Sequence, residues 1–145
     1  LSRLTAHQDF IRPPYLIIGG DRGYELLELY EMHSHVEGDA YITDIATACM
    51  LKYTANAFYA TKVAFMNEMY DVCQEVGADY NRMADILSTN PWMGSHHFLV
   101  PGPDGKRGFG GPCLPKDTQA IADTFDVPLL HSVLAVNKRH RDGAD

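Results

Sequence analysis

Ten residues in the last third of the chain hold the side chains best suited to covalent chemistry. The segment 108–117 reads GFGGPCLPKD and combines three glycines with one cysteine, one lysine and one aspartate. Glycines let a ligand approach the backbone closely, and the prolines on both sides of Cys113 stiffen the loop that presents it. A thiol beside Lys116, where a helix is expected to begin, is placed to act as a thiolate nucleophile. The alternative interpretation is a Gly/Pro turn that happens to contain a cysteine.

A second polar pattern lies on a long helix that the sequence predicts over about residues 39–76. Lys52 and Asn56 are four residues apart, so their side chains share one face of this helix. The ordinary interpretation of such a pair is a solvated stripe. The helix would be roughly 50 Å long and is apolar on more than one side. That pattern favours burial against a second copy or another domain.

The remaining pattern predicts a mainly α fold with little sheet. A short strand is expected near residues 15–18, where an apolar run ends at two glycines. These glycines do not match G-x-G-x-x-G, and no second strand is expected after the next helix, so a Rossmann unit is disfavoured. Shorter helices and one long loop complete the prediction, at about 23–34, 79–87, 116–124 and 128–139 for the helices and 90–112 for the loop.

The composition excludes several classes of protein. A length of 145 residues allows one domain, or one domain with a fragment of another, and 46% hydrophobic residues are enough for a core. A net charge of −7 argues against nonspecific nucleic-acid binding. No apolar run suits a membrane span and no signal peptide is recognisable. Three cysteines are too few for a disulfide scaffold, so we expect a reducing, cytoplasmic setting.

The histidines do not follow a metal-binding pattern. His33 and His35 are two residues apart, and His96 and His97 are adjacent. Neither spacing places two ligands on one helix face, and no cysteine or carboxylate completes a set. The sequence therefore predicts no metal site.

Other conspicuous residues allow a structural interpretation. Trp92 and Met93 are expected to be packing anchors rather than cofactor contacts. The basic run 138–141 is expected to be a solvated helix end that offsets the helix dipole. Arg107, beside the cysteine loop, stays an open candidate for a phosphate or partner contact.

The order of these motifs resembles that of the UDP-glucose/GDP-mannose dehydrogenase family. The resemblance extends over about residues 35–140 and rests on four segments, KYTANAF at 52–58, KVAFMNE at 62–68, GAD at 77–79 and the cysteine loop at 108–117. It implies a central helical domain, similar to the carboxyl-terminal domain of 6-phosphogluconate dehydrogenase, that dimerises through its long helix. On this basis residues 1–20 would end an amino-terminal nucleotide-binding domain, 21–140 would form the central domain, and 141–145 a linker.

The same resemblance implies an activity and assigns the residues that carry it. Members of this family oxidise the C6 alcohol of UDP-glucose or GDP-mannose twice, to a carboxylate, with two NAD. Cys113 would trap the aldehyde as a thiohemiacetal, Lys52 would stabilise the developing oxyanion, and Asn56 would position an oxygen atom or water. Asp117 would tune Lys52 and Asn56 or assist proton transfer. The residues expected against the nucleotide sugar are Gly108, Phe109, Gly110 and Lys116.

The chain also departs from the family pattern. The G-x-G-x-x-G fingerprint and the Pro-Glu-Phe-Leu segment with its catalytic glutamate are absent. We therefore expect the chain alone neither to bind NAD nor to turn over, with Rossmann-like domains missing on either side. It would be an excised central domain, a truncated homologue or one piece of a split enzyme. The alternative class is a non-catalytic dimerisation module in which the cysteine loop is a relic.

Overall fold

The computed structural model describes residues 6–13, 15–32 and 38–143, and the mainly α fold is confirmed. Its elements in chain order are α1 (Ala6–Ile11), β1 (Leu16–Gly19), α2 (Gly23–Glu31), β2 (Ala40–Thr43), α3 (Ile45–Val76), α4 (Tyr80–Ser88), α5 (Leu114–Thr124) and α6 (Pro128–Asp142). The chain divides into two compact units, Leu1–Lys52 and Tyr53–Asp145. The first residues of α3 belong to the first unit and the rest of this helix to the second.

The first unit contains a small parallel sheet. β1 and β2 pair in register from Leu16 opposite Ala40 to Gly19 opposite Thr43, with α2 between them in the chain. β1 confirms the strand expected near residues 15–18. The expectation that no second strand follows α2 is wrong, because the aromatic and β-branched residues just before Asp44 favour an extended backbone.

The long helix α3 begins at Ile45, later than the predicted start near residue 39. The Asp44 side chain accepts hydrogen bonds from the Thr47 backbone nitrogen (2.8 Å) and from Thr47 Oγ1 (2.6 Å). These bonds, led by the one from the Thr47 hydroxyl, lower the pKa of Asp44. A carboxylate that satisfies first-turn donors marks a helix start, so the preceding residues are free to form β2.

α3 ends at a left-handed glycine. Gly77 has φ of 73°, and the Ala78 backbone nitrogen donates to the Cys73 carbonyl oxygen at 2.8 Å. This bond satisfies one carbonyl of the last helical turn, as glycine-terminated helices commonly do. Asp79 then caps α4, its side chain accepting from the Arg82 backbone nitrogen at 3.0 Å.

The core of the second unit lies along α3. Three alanines of α3, Ala57, Ala60 and Ala64, are buried and permit close approach of the neighbouring segments. The buried residues form three clusters: Met66, Cys73, Tyr80, Ala84, Phe98 and Val100; Ala60, Ala64, Phe109 and Val133; and Ala57, Ala122 and Leu130. α4, the loop before α5, α5 and α6 therefore all pack on this part of α3.

The ends of the last two helices differ slightly from the prediction. α5 begins at Leu114 because Pro115 can occupy the first turn of a helix. α6 continues to Asp142 and ends at Gly143, which has φ of 67°. It therefore extends into the segment expected to be a linker. Within the described ranges, no helix is both long and apolar enough to cross a membrane.

Candidate functional site

Cys113 lies at the amino terminus of α5, where it is the N-cap residue. Cys113 and Cys49 are both exposed, whereas Cys73 is buried in the core. A helix amino terminus carries a partial positive charge that stabilises a nearby anion. The loop thus presents the thiol to solvent at a position that suits a nucleophile.

Asp117 lies one turn further along α5 and is completely buried, with 0% of its surface exposed. Its backbone nitrogen donates to the Cys113 carbonyl oxygen at 2.9 Å, which closes the first turn of the helix. Its carboxylate accepts a 2.6 Å hydrogen bond from Asn56 Nδ2 and another from Lys116 Nζ. A buried carboxylate is tolerated when charged and polar partners compensate it. The second unit thus brings together four predicted site residues, Asn56, Cys113, Lys116 and Asp117.

Lys116 provides a positive charge close to the thiol. Its pKa is raised, chiefly by the hydrogen bond to Asp117, with smaller contributions from the negative charges that Asp117, Tyr53 and Cys113 can carry. The ammonium group is exposed and can therefore reach a ligand as well as Asp117. Lys116 is not among the residues that line the cavity described below.

Lys52 is the last residue of the first unit. It is exposed on α3, while Asn56 lies one turn later in the second unit. Its predicted role at the oxyanion stays a prediction.

A cavity of about 510 Å³ lies beside the cysteine loop. Gly111 and Leu114, which flank Pro112 and Cys113 in the sequence, both contribute to its wall. Its other lining residues are Val63, His96, His97, Leu99, Gly102, Pro103, Asp104, Gly108, Phe109 and Gly110. A mainly apolar cleft of this size with a few polar groups is typical of small-molecule sites. The predicted ligand contacts Gly108, Phe109 and Gly110 therefore line one cavity.

Gly108 cannot be replaced by a larger residue without a local change. Its φ is 70°, and a Cβ atom would lie 2.5 Å from Asn137 Oδ1. At Gly110 an added Cβ would meet the end of the flexible Arg141 side chain instead. The cavity wall at Gly108 thus depends on the absence of a side chain.

Two buried asparagines that were not predicted as site residues hold this wall in place. Asn67 Oδ1 accepts from the Gly108 backbone nitrogen at 3.0 Å. Asn137 accepts from the Phe109 nitrogen (2.6 Å) and donates to the Phe109 oxygen (3.1 Å). Asn67 on α3 is 1% exposed and Asn137 on α6 is 9% exposed. A polar residue at a core-facing position of a helix is the sequence signal that could have identified both asparagines.

Arg107, the open candidate for a phosphate contact, is engaged within the protein. Its guanidinium pairs with Asp71 (2.6 Å), donates to the Asn67 carbonyl oxygen (3.1 Å) and lies over the Tyr70 ring. It anchors the start of the glycine segment on α3.

The basic run 138–141 fits its expectation only in part: Lys138 and Arg139 are exposed and basic residues occupy the last turn of α6, but the run is not wholly solvated. His140 is buried, Arg139 pairs with Glu68 at 2.6 Å, and Arg141 pairs with Asp104 at 2.6 Å. Burial is the main cause that lowers the pKa of His140, followed by the charges of Arg107 and Arg139. These residues join α6 to α3 and to the loop.

Trp92 is 93% exposed, so its prediction as a packing anchor is wrong, whereas Met93 packs against the first core cluster. Among the residues that the structure describes, no three His, Cys, Asp or Glu side chains come together to hold a metal ion. His33 and His35 lie outside the described residues.

The chain is similar over most of its length to proteins of one family. Residues 46–139 match the profile of the UDP-glucose/GDP-mannose dehydrogenase family, central domain. The chain is 32% identical over 141 residues to UDP-glucose 6-dehydrogenase of Rickettsia conorii, covering 93% of this chain and 32% of the relative. It is 39% identical over 148 residues to GDP-mannose 6-dehydrogenase of Pseudomonas savastanoi pv. phaseolicola, covering 94% of this chain and 32% of that relative. The solved structure of a UDP-glucose dehydrogenase from Pyrobaculum islandicum has a TM-score of 0.75 and 28% identity, covering 90% of this chain and 30% of that one. The chain thus spans about a third of the length of these relatives.

Proposed function

Since this chain belongs to the UDP-glucose/GDP-mannose dehydrogenase family, we propose that it supplies the cysteine-bearing part of an NAD-dependent nucleotide-sugar dehydrogenase. One observation carries the proposal. Cys113 is exposed and lies in the sequence between Gly111 and Leu114, which both line the cavity. It also precedes the buried Asp117 by one helical turn. A thiol and a preformed ligand cleft in adjacent positions suit a covalent mechanism.

The proposed chemistry uses the thiol to retain an aldehyde intermediate. The C6 alcohol loses a hydride and a proton to give an aldehyde, and the Cys113 thiolate adds to its carbon. Protonation of the oxygen gives a thiohemiacetal, and loss of a second hydride with the proton gives a thioester. Water then cleaves the carbon–sulfur bond, which releases the carboxylate and regenerates the thiol. Two NAD molecules are the proposed acceptors, one for each hydride.

The buried polar pair has a positioning role in this proposal. Asp117 accepts from Asn56 Nδ2 at 2.6 Å, which fixes the orientation of that amide and leaves its Oδ1 to accept a hydrogen bond from water. Lys116 holds the carboxylate from the other side. Lys52 would place its positive charge at the developing oxyanion.

Two glycines at the ends of the turn after β1 pack closely against the protein's own side chains. A Cβ added to Gly19, the last residue of β1, would lie 2.7 Å from Ala48 Cβ, and one added to Gly23, the first residue of α2, would overlap Ile42 Cγ2. These glycines make room for the protein's own side chains rather than for a pyrophosphate. We propose that the hydride acceptor is held by other parts of a full-length protein and that this chain alone does not turn over.

A homodimer through α3 is the proposed assembly. Within the second unit, Phe58, Phe65, Val72 and Val76 are all exposed and follow one another at intervals of seven or four residues. This spacing places them on one helix face, as in helix pairs that pack along a seam.

The dimer is tested by sedimentation at micromolar concentration. Phe65→Glu should convert a dimer to a monomer, whereas Ile86→Glu, which changes a similarly exposed apolar residue on α4, should leave the dimer intact. A monomeric parent chain, or a dimeric Phe65→Glu variant, would contradict the proposed interface.

The catalytic role is tested by thiol labelling. Iodoacetamide at neutral pH should modify Cys113 faster than Cys49 or Cys73, and saturating UDP-glucose or GDP-mannose should protect Cys113 alone. Cys49 is the matched control, because it is exposed as well. Equal slow labelling of all three thiols, without protection, would favour the alternative of a non-catalytic dimerisation module.

A further inference from the structure

His97 has an unusual backbone conformation for its residue type. Its φ is 70°, and no other non-glycine residue in the described ranges has a positive φ. Side chains rarely adopt this region, and residues held there are often found at functional sites. The surrounding structure must therefore hold His97 in place.

Several contacts fix the segment that carries His97. On one side Lys62 Nζ donates to the Met93 oxygen at 2.8 Å and lies 3.8 Å from the centroid of the Phe98 ring. On the other side the Tyr80 hydroxyl donates to the Phe98 oxygen at 2.7 Å. Since Phe98 is buried, the backbone that follows His97 is anchored in the core.

The ring of His97 is also fixed. It stacks on Tyr59, with ring centroids 4.5 Å apart and an interplanar angle of 13°. Within the described part of the chain, neither ring nitrogen of His97 has a hydrogen-bond partner. A half-buried imidazole with a defined plane and unused nitrogens is suited to bind a ligand.

His97 lies in the wall of the cavity beside the cysteine loop. Much of this wall is formed by apolar side chains, including Leu99 and Pro103. Asp104 also lines the cavity, but its carboxylate already accepts from Arg141 and from the Lys106 nitrogen. His97 thus offers the cavity a polar side chain that the protein itself leaves unused.

The surroundings keep His97 uncharged near neutral pH. Burial lowers its pKa, and the nearby charges of Lys62 and His96 lower it further. The titratable groups around it are Tyr59 and Lys62 on α3, His96 on its own loop and Asp104 in the cavity wall. A neutral imidazole carries one donor and one acceptor nitrogen, which matches a hydroxyl group better than a diphosphate.

We propose that His97 is a substrate-binding residue that exchanges hydrogen bonds with a hydroxyl group of the nucleotide sugar in this cavity. The inference rests on the proposed function, because that function defines the ligand. It adds a specificity-determining contact on the loop before the cysteine segment.

Titration calorimetry with UDP-glucose and with GDP-mannose tests this role in the full 145-residue chain. The better-bound ligand should bind about 10-fold more weakly to His97→Phe, which keeps an aromatic ring for Tyr59 but has no hydrogen-bonding group. His97→Asn should bind within about threefold of the parent, because asparagine accepts a positive φ and retains a donor and an acceptor. His131→Phe, at an exposed histidine on α6, is the matched control and should bind as the parent does.

The outcomes separate this inference from the proposed function. Equal affinity of His97→Phe and the parent would overturn the role of His97 and leave the proposed function intact. No binding of either ligand by the parent would overturn both. If His97→Phe does not fold, His97→Gly takes its place, since glycine adopts this φ freely, and it must show the same loss.

The pH dependence gives a readout that a purely structural role would not move. Parent affinity should fall as the pH drops below about 6.5, because protonation then removes the acceptor nitrogen, whereas the affinity of His97→Asn should stay flat over this range. An affinity that rises on acidification would place the diphosphate at His97 and overturn the proposal.

Discussion

Replacing Asn56 by leucine removes a neutral hydrogen-bond donor to the buried carboxylate of Asp117. The change deletes the 2.6 Å hydrogen bond from Asn56 Nδ2 to Asp117 Oδ2 and keeps a side chain of similar volume. Hydrogen bonds to charged groups contribute about 1.5–3 kcal/mol, and Asp117 has no exposed surface from which water could compensate. Since Lys116 still pairs with this carboxylate, we expect Asn56→Leu to lower the free energy of unfolding by about 2 kcal/mol.

Urea unfolding monitored by circular dichroism measures this loss. For a chain of this size the midpoint should shift by roughly 1 M urea. Asn81→Leu is the matched control, because Asn81 is exposed on α4, and it should change stability by no more than about 0.5 kcal/mol. Equal stability of the two variants would refute the view that Asn56 compensates the charge of Asp117.

A double-mutant cycle isolates the interaction itself. In an Asp117→Asn background the acceptor is neutral, so Asn56→Leu should cost about 1 kcal/mol less than it does in the parent. The two substitutions should therefore be non-additive. Strict additivity would mean that the charge of Asp117 does not act through Asn56.

Three further changes probe the surrounding structure. Gly108→Ala should destabilise the chain by about 1–3 kcal/mol in urea unfolding, because its φ is 70° and the new Cβ would meet Asn137 Oδ1. Tyr80→Phe should cost about 1–3 kcal/mol in the same assay, since it leaves the buried Phe98 carbonyl without its 2.7 Å donor. Burial lowers the pKa of His140, so its contribution to stability is complete above the unfolded-state value of about 6.5 and is lost as the pH falls. His140→Gln should therefore show a shallower loss of stability between about pH 7 and pH 5 in thermal melts.

Each of these predictions has a contrary outcome. Gly105→Ala controls for a left-handed glycine with open space around it, and a Gly108→Ala variant no less stable than this control would contradict the packing argument. A stable Tyr80→Phe variant would mean that the Phe98 carbonyl finds another donor. An unchanged pH profile in His140→Gln would assign the acid sensitivity to other groups.

Local signals in the sequence predicted most helices. Proline and glycine mark the ends of α4, α5 and α6, so these elements were expected within a few residues of their positions. β2 was missed because no glycine or proline separates it from α3. The sequence of the strand therefore looked like the first turn of the helix predicted over about residues 39–76. The Asp44 cap was the local signal for the boundary.

Site residues were predicted where a reactive residue type or a recognisable motif marks them in the sequence. Residues that act through contacts between distant parts of the chain were missed. Asn56 and Asp117 were expected together, and they meet across 61 residues of sequence. The bonds from Asn67 to Gly108 and from Asn137 to Phe109 join residues 41 and 28 positions apart, and no local pattern encodes them. Such contacts become visible only once α3, α6 and the loop are packed.

The central expectation is that Cys113 forms a covalent bond with an aldehyde. The most direct measurement is a carbon NMR spectrum of the chain mixed with a UDP-linked hexose that carries ¹³C at its C6 aldehyde. The parent chain should produce the resonance of a carbon bonded to both oxygen and sulfur, and Cys113→Ala, with Cys49 and Cys73 still present, should not. The same spectrum from both proteins would contradict the assignment of Cys113 as the nucleophile.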